Sequence, residues 1–325
     1  MTTSYPSLTS PYPAALNSHG ETVEHGTMEW LERYEIVCDQ AEAERVRGQQ
    51  WSYFVARCYP HASLPDLQWV SNWTTWLFLF DDQNDEAEQG RATEDLTPYR
   101  VILLSIMGGD APIKNDPLLQ AWHGLLVRLR AKANPVWLER FVQQHDDYFS
   151  ACIWKASNRS QGRIPDLEPY LLKRLHAGAV YPCLSLIEFV GQLDLPPSVL
   201  SHPIVHELTL STNNLVCWCN DIVSREKEQR HGDVHNLVIV LRHEQQCSLQ
   251  EAIDRAVIMH DAEMQRFQSL LTQLPSFSRK IDADLQLYVK GLQFWIRGNL
   301  DWSFETERYR PLLTNNNEQI DSGLA

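Results

Sequence analysis

Asn214-Leu215-Val216-Cys217-Trp218-Cys219-Asn220-Asp221-Ile222-Val223-Ser224-Arg225-Glu226-Lys227-Glu228 is an apolar stretch that gives way to a mostly polar one at Asn220. On a helix, Asn220, Ser224 and Glu228 fall at i, i+4 and i+8, one stripe that drifts by only about 40° per step. That stripe carries an amide, a hydroxyl and a carboxylate on one face, with Lys227 beside them. A serine bonding back onto its own helix would explain Ser224 alone and leave Asn220 and Glu228 without a reason.

A second acidic cluster, Asp81-Asp82-Gln83-Asn84-Asp85-Glu86, follows the apolar run Trp76-Leu77-Phe78-Leu79-Phe80. Asp81 and Asp85 are i and i+4 on a helix, so their carboxylates share a face. A bare surface cluster is less expected directly after such bulky residues. Asp146-Asp147 also follows a helical segment, but no acid follows it at the right spacing, and we read that pair as surface. The donors in both clusters are hard oxygens, which points to Mg²⁺ rather than zinc. Two such faces opposed across a cavity would hold a diphosphate through bridging metals.

Outward from these clusters the pattern is helical from Glu29 on, with apolar residues spaced by 3 and 4. The breaks are Tyr59-Pro60, Gly108-Gly109-Asp110-Ala111-Pro112, Asn134-Pro135, Ile164-Pro165, Leu195-Pro196-Pro197, His202-Pro203 and Leu274-Pro275. Several suit helix starts, with proline in the first turn. Alternating strand patterns are nearly absent, so the predicted fold is all-α. The breaks are evenly spread and no linker divides the chain. We expect a flexible N-terminal leader over 1–25, one domain over 26–312 and a flexible C-terminal tail over 313–325.

The 325 residues are 43% hydrophobic, with 11 Trp, 11 Tyr and 10 Phe, enough for a large core. A net charge of −14 argues against a nucleic-acid or anionic-membrane partner. It leaves an anionic substrate open, because bound cations invert the sign of a local site. Seven cysteines without a framework fit reduced thiols, and Cys217 and Cys219, two residues apart, point to different sides of a helix. No apolar run approaches the roughly 18 residues of a membrane span, and the first 20 residues lack the pattern of a signal peptide. A cytoplasmic protein without stable membrane insertion is expected.

Between the clusters lies Lys173-Arg174-Leu175-His176-Ala177-Gly178-Ala179-Val180-Tyr181-Pro182. Pro182 has no N–H for the carbonyl four residues earlier, Gly178, and Gly178 is the most permissive residue of the segment. Arg174, one turn before this predicted break, suits bidentate contact with phosphate oxygens. A plain proline kink with Arg174 in a salt bridge reads the same locally. Near the C-terminus, Trp295, Asn299 and Trp302 lie at i, i+4 and i+7, an aromatic face that serves a core or the wall of an apolar cavity. Arg308-Tyr309 offers a guanidinium and a phenol, both suited to a phosphate oxygen.

With these residues in place, the chain resembles the class I terpene synthases (terpene cyclases), particularly the microbial sesquiterpene synthases, from about Glu29 to Tyr309. Four motifs occur in that family's order. The aspartate-rich motif matches Asp81 to Glu86, in a form that leaves open whether Asp85 or Glu86 is the second ligand. The Asn-Ser-Glu triad matches Asn220, Ser224 and Glu228, with Lys227 in the Lys-Glu pair, and it lies 139 residues after Asp81. Arg174 matches the diphosphate-sensing arginine, Gly178 the helix-break effector, and Arg308-Tyr309 the terminal pair. Gly232-Asp233-Val234-His235-Asn236-Leu237-Val238 resembles the segment that follows the triad. Ala177 departs from the pattern, which often has a polar residue there, so sensor and effector are coupled more loosely or through the backbone.

The resemblance implies a single-domain helical bundle around a central apolar cavity. It implies three Mg²⁺ ions, with Mn²⁺ as a substitute, held by Asp81, Asp85 or Glu86, Asn220, Ser224 and Glu228. Arg174, Lys227, Arg308 and Tyr309 would contact the diphosphate of a linear prenyl diphosphate and stabilise it as it leaves. The allylic cation would remain among aromatic faces, which attract cations and offer no nucleophile. Candidate wall residues are Phe54, Leu77, Phe78, Trp295 and Trp302. A fifteen-carbon substrate suits the chain's size by resemblance, with twenty or ten carbons as alternatives, in a monomer or a homodimer. A chain-elongating prenyltransferase would carry two aspartate-rich motifs, where here the second is Asn-Ser-Glu. A non-enzymatic helical domain with acidic surfaces is the remaining alternative, and it predicts that the two clusters do not face one cavity.

Overall fold

A computed structural model describes residues 8–85, 93–112 and 116–309. Glu86 and the expected tail 313–325 lie outside the described residues, and of Asp85 only the helical backbone is described. The described residues form helices and no strand, in agreement with the all-α reading. In chain order the helices are α1 (Gly20–Arg33), α2 (Gln40–Gln49), α3 (Trp51–Cys58), α4 (Leu64–Asp85), α5 (Thr93–Gly108), α6 (Pro117–Lys132) and α7 (Pro135–Ser160). There follow α8 (Leu167–Ala177), α9 (Val180–Gly191), α10 (Pro197–Leu200), α11 (Pro203–Arg230), α12 (Leu237–Gln245), α13 (Leu249–Leu271) and α14 (Arg279–Glu305).

Proline and short polar side chains set these boundaries. α6, α7 and α11 each open on a proline, whose missing N–H has no intrahelical partner to lose there. Asp116, Asn134 and Ser248 accept hydrogen bonds from first-turn N–H groups, and Ser248 forms a reciprocal capping box with Glu251.

α11 is packed by α13 on one side and α14 on the other, and α14 is flanked by α3 and α9. α4 lies against α1, α3 and α6 and touches α7 and α9. This arrangement brings the C-terminal ends of α4 and α11 together, with Lys227 3.7 Å from Asp82. One contiguous core runs through all of them. The packing begins earlier than the boundary at residue 26. Leu8 and Val23 are buried, α1 starts at Gly20, and the buried Asn17 donates from Nδ2 to the carbonyls of Tyr59 (3.2 Å) and Ala62 (2.9 Å). Residues 8–25 are thus a packed strap; their Ser, Thr and Pro content reads as a free leader because the carbonyls that hold Asn17 are more than forty residues away in sequence.

Candidate active site

α4 and α11 form two walls of one cavity whose lining is charged at a mouth near their C-terminal ends and aromatic in its depth. Asp81 on α4 and Asn220, Ser224, Lys227 and Glu228 on α11 border it together. So do Arg174, Gly178, Arg308 and Tyr309, and the five expected wall residues Phe54, Leu77, Phe78, Trp295 and Trp302. The expected site residues whose side chains are described therefore meet in one place, although they come from five helices and the segment after α14. Asp146 does not border it, and is paired with Arg100.

On α11 the stripe behaves as its spacing dictates. Ser224 Oγ donates to Glu228 Oε1 (2.7 Å), and Asn236 Nδ2, at the cap of α12, donates to Glu228 Oε2 (2.8 Å). Burial, with the negative charges of Asp221 and Asp233 nearby, pushes the Glu228 carboxyl up to about 7. Asn220 Nδ2 donates to Tyr309 Oη (3.0 Å), which fixes the face on which the amide oxygen lies. Burial pushes the Tyr309 phenol up to about 12, so it stays neutral and keeps its proton to donate.

The α4 wall brings in a residue the sequence reading assigned no role. Asp82 takes a two-pronged contact from Arg308 (Nη1 3.1 Å, Nη2 2.5 Å) and an ion pair from Lys227 at 3.7 Å across the mouth. Arg308 also lies over the Phe78 ring at 5.4 Å, tying the charged mouth to the apolar wall. Lys155 on α7 is a second such residue. Its buried ammonium is 3.9 Å from Asp81 and 3.5 Å from Asp233. Burial opposes ionisation of Asp233, but Lys155 and His235 more than reverse that and hold it well below the usual carboxylate range. Nothing local marks Lys155 in the sequence; it joins the site because α7 carries it to within ion-pair reach of Asp81 on α4 and of Asp233 after α11.

The helix break lies where the sequence places it, but the roles within it differ. α8 ends at Ala177 and α9 starts at Val180. The left-handed residue is Ala179 (φ 51°), while Gly178 is right-handed at φ −85°. A methyl group at position 178 would stand 2.7 Å from Cys217 Sγ and 2.9 Å from Arg174 Nη1. Glycine is needed there for close approach, and the conformational strain falls on an alanine, at a cost of about 1–2 kcal/mol. Arg174 donates from Nε (3.0 Å) and Nη2 (2.7 Å) to Asp221 Oδ1, and from Nη2 to Asn220 Oδ1 (3.0 Å).

Among the described residues no three Asp, Glu, His or Cys side chains converge as a closed metal cage. The donors that do converge are amide, hydroxyl and carboxylate oxygens on one stripe of α11, facing Asp81. Such a set fits a hard divalent ion that completes its shell with water and phosphate oxygens. The thiols do not compete for it: burial pushes Cys217 up to about 11, and its Sγ lies 3.2 Å from Asn213 Oδ1.

Comparison with known proteins agrees with this geometry. Residues 72–266 match the model of terpene synthase family 2, C-terminal metal binding, a span that includes both walls. The (+)-T-muurolol synthase of Roseiflexus castenholzii, described as cyclising (2E,6E)-farnesyl diphosphate, is 39% identical over 94% of this chain and 93% of its own length. The germacrene A synthase of Nostoc punctiforme is 32% identical over 94% of this chain and 95% of its own. Among solved structures, germacradien-4-ol synthase from Streptomyces citricolor superposes with a TM-score of 0.81 at 26% identity, over 91% of this chain and 99% of that one. With opposed oxygen-donor walls over an aromatic cavity and a family match across both, the chain belongs to terpene synthase family 2.

Proposed function

We propose that this protein is a Mg²⁺-dependent sesquiterpene cyclase that ionises farnesyl diphosphate, cyclises the resulting cation and releases diphosphate. The observation that carries the reading is that one cavity is lined by two oxygen-donor walls, by Arg174, Lys227, Arg308 and Tyr309, whose donors suit a diphosphate, and by an interlocked aromatic wall. A relative described as cyclising (2E,6E)-farnesyl diphosphate, matched over more than nine-tenths of both chains, supports the fifteen-carbon substrate. The match to a metal-binding family domain supports divalent metal dependence. Three Mg²⁺ ions, replaceable by Mn²⁺, are the expected complement.

Asp81, Asn220, Ser224 and Glu228 would hold the metal, which supplies Lewis-acid neutralisation of the leaving diphosphate. Arg174, Lys227, Arg308 and Tyr309 supply N–H and O–H donors to the diphosphate oxygens and stabilise charge that grows as the carbon–oxygen bond breaks. Lys227 and Arg308 are held on Asp82, and the substrate diphosphate would compete with that carboxylate for them. Phe54, Phe78, Trp295 and Trp302 exclude water and present ring faces to the cation. The purified protein, incubated with Mg²⁺ and the ten-, fifteen- and twenty-carbon prenyl diphosphates, should consume the fifteen-carbon substrate fastest and yield cyclic products. Products that are longer prenyl diphosphates would instead indicate chain elongation, and no turnover of any of the three would overturn the reading.

A further inference from the structure

Asp221 is fully buried next to a proposed metal ligand, yet it points away from the cavity mouth into a network of its own. Its Oδ1 takes the Nε/Nη2 edge of Arg174 at 3.0 and 2.7 Å. Its Oδ2 accepts from the Tyr170 hydroxyl and from the Leu237 N–H (3.1 Å). Its main-chain carbonyl accepts from Asn236 Nδ2 at 2.6 Å, and the same amide donates to Glu228 Oε2 at 2.8 Å. One residue of α11 thus links α8 to the first turn of α12, and through Asn236 to Glu228.

We propose that Asp221 is a positioning residue, which acts on the diphosphate only through Arg174 and sets the direction in which that guanidinium presents its free edge. This inference rests on the assignment of Arg174 to the diphosphate. A guanidinium has five N–H donors in a fixed plane, so a carboxylate on the Nε/Nη2 side commits that side and fixes the orientation of the rest. Nη1 is left at the break, 2.9 Å from the space a methyl group on Gly178 would fill. The Arg174 side chain is only 12% exposed and Asp221 is 0% exposed, so water competes weakly for the pair. Tyr170 and Arg174 are i and i+4 on α8 and meet the same carboxylate, which locks the rotation of α8 about its axis as well as the side chain. A charge buried with four donors is costly if any of them is lost, so this carboxylate has one stable arrangement and holds Arg174 in it.

The test is titration with inorganic pyrophosphate and Mg²⁺ by calorimetry, alongside turnover, for wild type, Asp221→Asn, Arg174→Ala and the double variant. Asp221→Asn keeps the size of the side chain but removes the charge that holds the Nε/Nη2 edge, and whichever way the amide turns it sets an NH₂ against donors that Oδ1 or Oδ2 accepts. We expect it to weaken Mg²⁺-dependent pyrophosphate binding by about 10-fold or more and turnover by about 100-fold. In the Arg174→Ala background the same substitution should change either quantity by less than about threefold. A full additional loss in that background would overturn the proposal, because Asp221 would then act through the fold or through Glu228. Wild-type pyrophosphate affinity in Asp221→Asn would also overturn it. Should Asp221→Asn fail to fold, Arg174→Lys replaces it: the charge beside Asp221 is kept and the planar fork is lost. We expect the same weakening of pyrophosphate binding, and undiminished affinity would show that fixed direction is not what Asp221 supplies. Failure of the wild-type protein to bind Mg²⁺-pyrophosphate at all would instead overturn the assignment of the site.

Discussion

The mouth and the depth of the cavity are built on opposite principles. At the mouth, acids and bases from different segments are paired by long side chains: Arg308 and Lys227 on Asp82, Lys155 between Asp81 and Asp233. In the depth, rings interlock. Phe54 stands edge-on to Trp295 (5.2 Å, 86°) and leans on Trp302 (4.7 Å), while Phe78 meets Trp302 at 5.6 Å and stacks on Trp51 at 5.1 Å. Ion pairs held by flexible stems can exchange partners when a more highly charged ligand arrives. Close-packed rings have one arrangement and transmit a change in one to the next. On the proposed function, the mouth would decide whether the reaction begins, and the depth where it ends.

The largest expected effect is at the mouth. Asp81→Ala or Asn220→Ala should lower turnover at least about 1,000-fold while the helical circular-dichroism signal stays near wild type, and chelation of divalent metal should do the same. Asp146→Ala, on a carboxylate that pairs with Arg100 outside the cavity, should stay within about twofold. Equal losses at all three positions would remove the distinction between mouth and surface. Next comes Arg174→Ala. Loss of one preorganised donor to a developing anion costs about 10²–10³ in kcat, and since ionisation is common to every product, the product ratio should hold while total turnover falls. A new dominant product would place Arg174 in the depth instead.

The mouth was more legible in the sequence than the depth, and the reason is periodicity. Asn220, Ser224 and Glu228 share a stripe because of local helical geometry, so their spacing alone reports it. The break after Ala177 is legible from Gly178 and Pro182, but which residue takes the left-handed backbone is not. That depends on tertiary packing at position 178, where Cys217 of α11 and the Arg174 side chain leave no room for a methyl group. Asp82, Asp221 and Lys155 were missed because their roles are set by partners 226, 47 and 78 residues away, a distance at which spacing carries no signal. The strap over 8–25 was misread for the same reason: Asn17 looks like a loop residue until the carbonyls of Tyr59 and Ala62 are brought to it.

A third prediction tests how the aromatic layer tolerates a polar group. His145 is fully buried, with Nδ1 bonded to the Phe141 carbonyl at 2.7 Å and Nε2 without a partner among the described residues. Trp73, Trp122 and Phe149 surround it. Burial, only partly offset by the Phe141 carbonyl, lowers its pKa from 6.5 to about 4. The mouth solves burial by pairing charges; His145 solves it by staying neutral. Because the folded pKa lies below the unfolded one, its contribution is complete above pH 6.5 and is lost as pH falls towards 4. Between pH 7 and 4.5 the loss is about 2–3 kcal/mol. His145→Phe should therefore flatten the fall in Tm over that range, whatever its effect at pH 7. A parallel fall in wild type and variant would show that His145 is not what makes the fold acid-sensitive.

The smallest effect in energy is the one that most directly separates the two regions. Trp302→Leu and Phe78→Leu leave the charged mouth in place and remove one ring face from the depth. Trp302 also anchors itself through Nε1 to the Gln49 carbonyl at 2.9 Å, so its ring plane is fixed rather than adaptable. A ring face toward a desolvated cation is worth about 0.5–2 kcal/mol, and about 1.4 kcal/mol changes a rate ratio tenfold. Ionisation does not depend on that face, so substrate consumption should fall by less than about tenfold. The partition among later cations does depend on it, and products should shift toward acyclic or early-quenched compounds. Phe78 carries Arg308 over its ring at 5.4 Å, so Phe78→Leu should lower turnover more than Trp302→Leu at a similar shift in product. Gas chromatography of both product mixtures, set against total diphosphate release, measures the two quantities separately. A product profile unchanged in both variants would mean that these rings serve only the core, and that the cation is steered by another part of the wall.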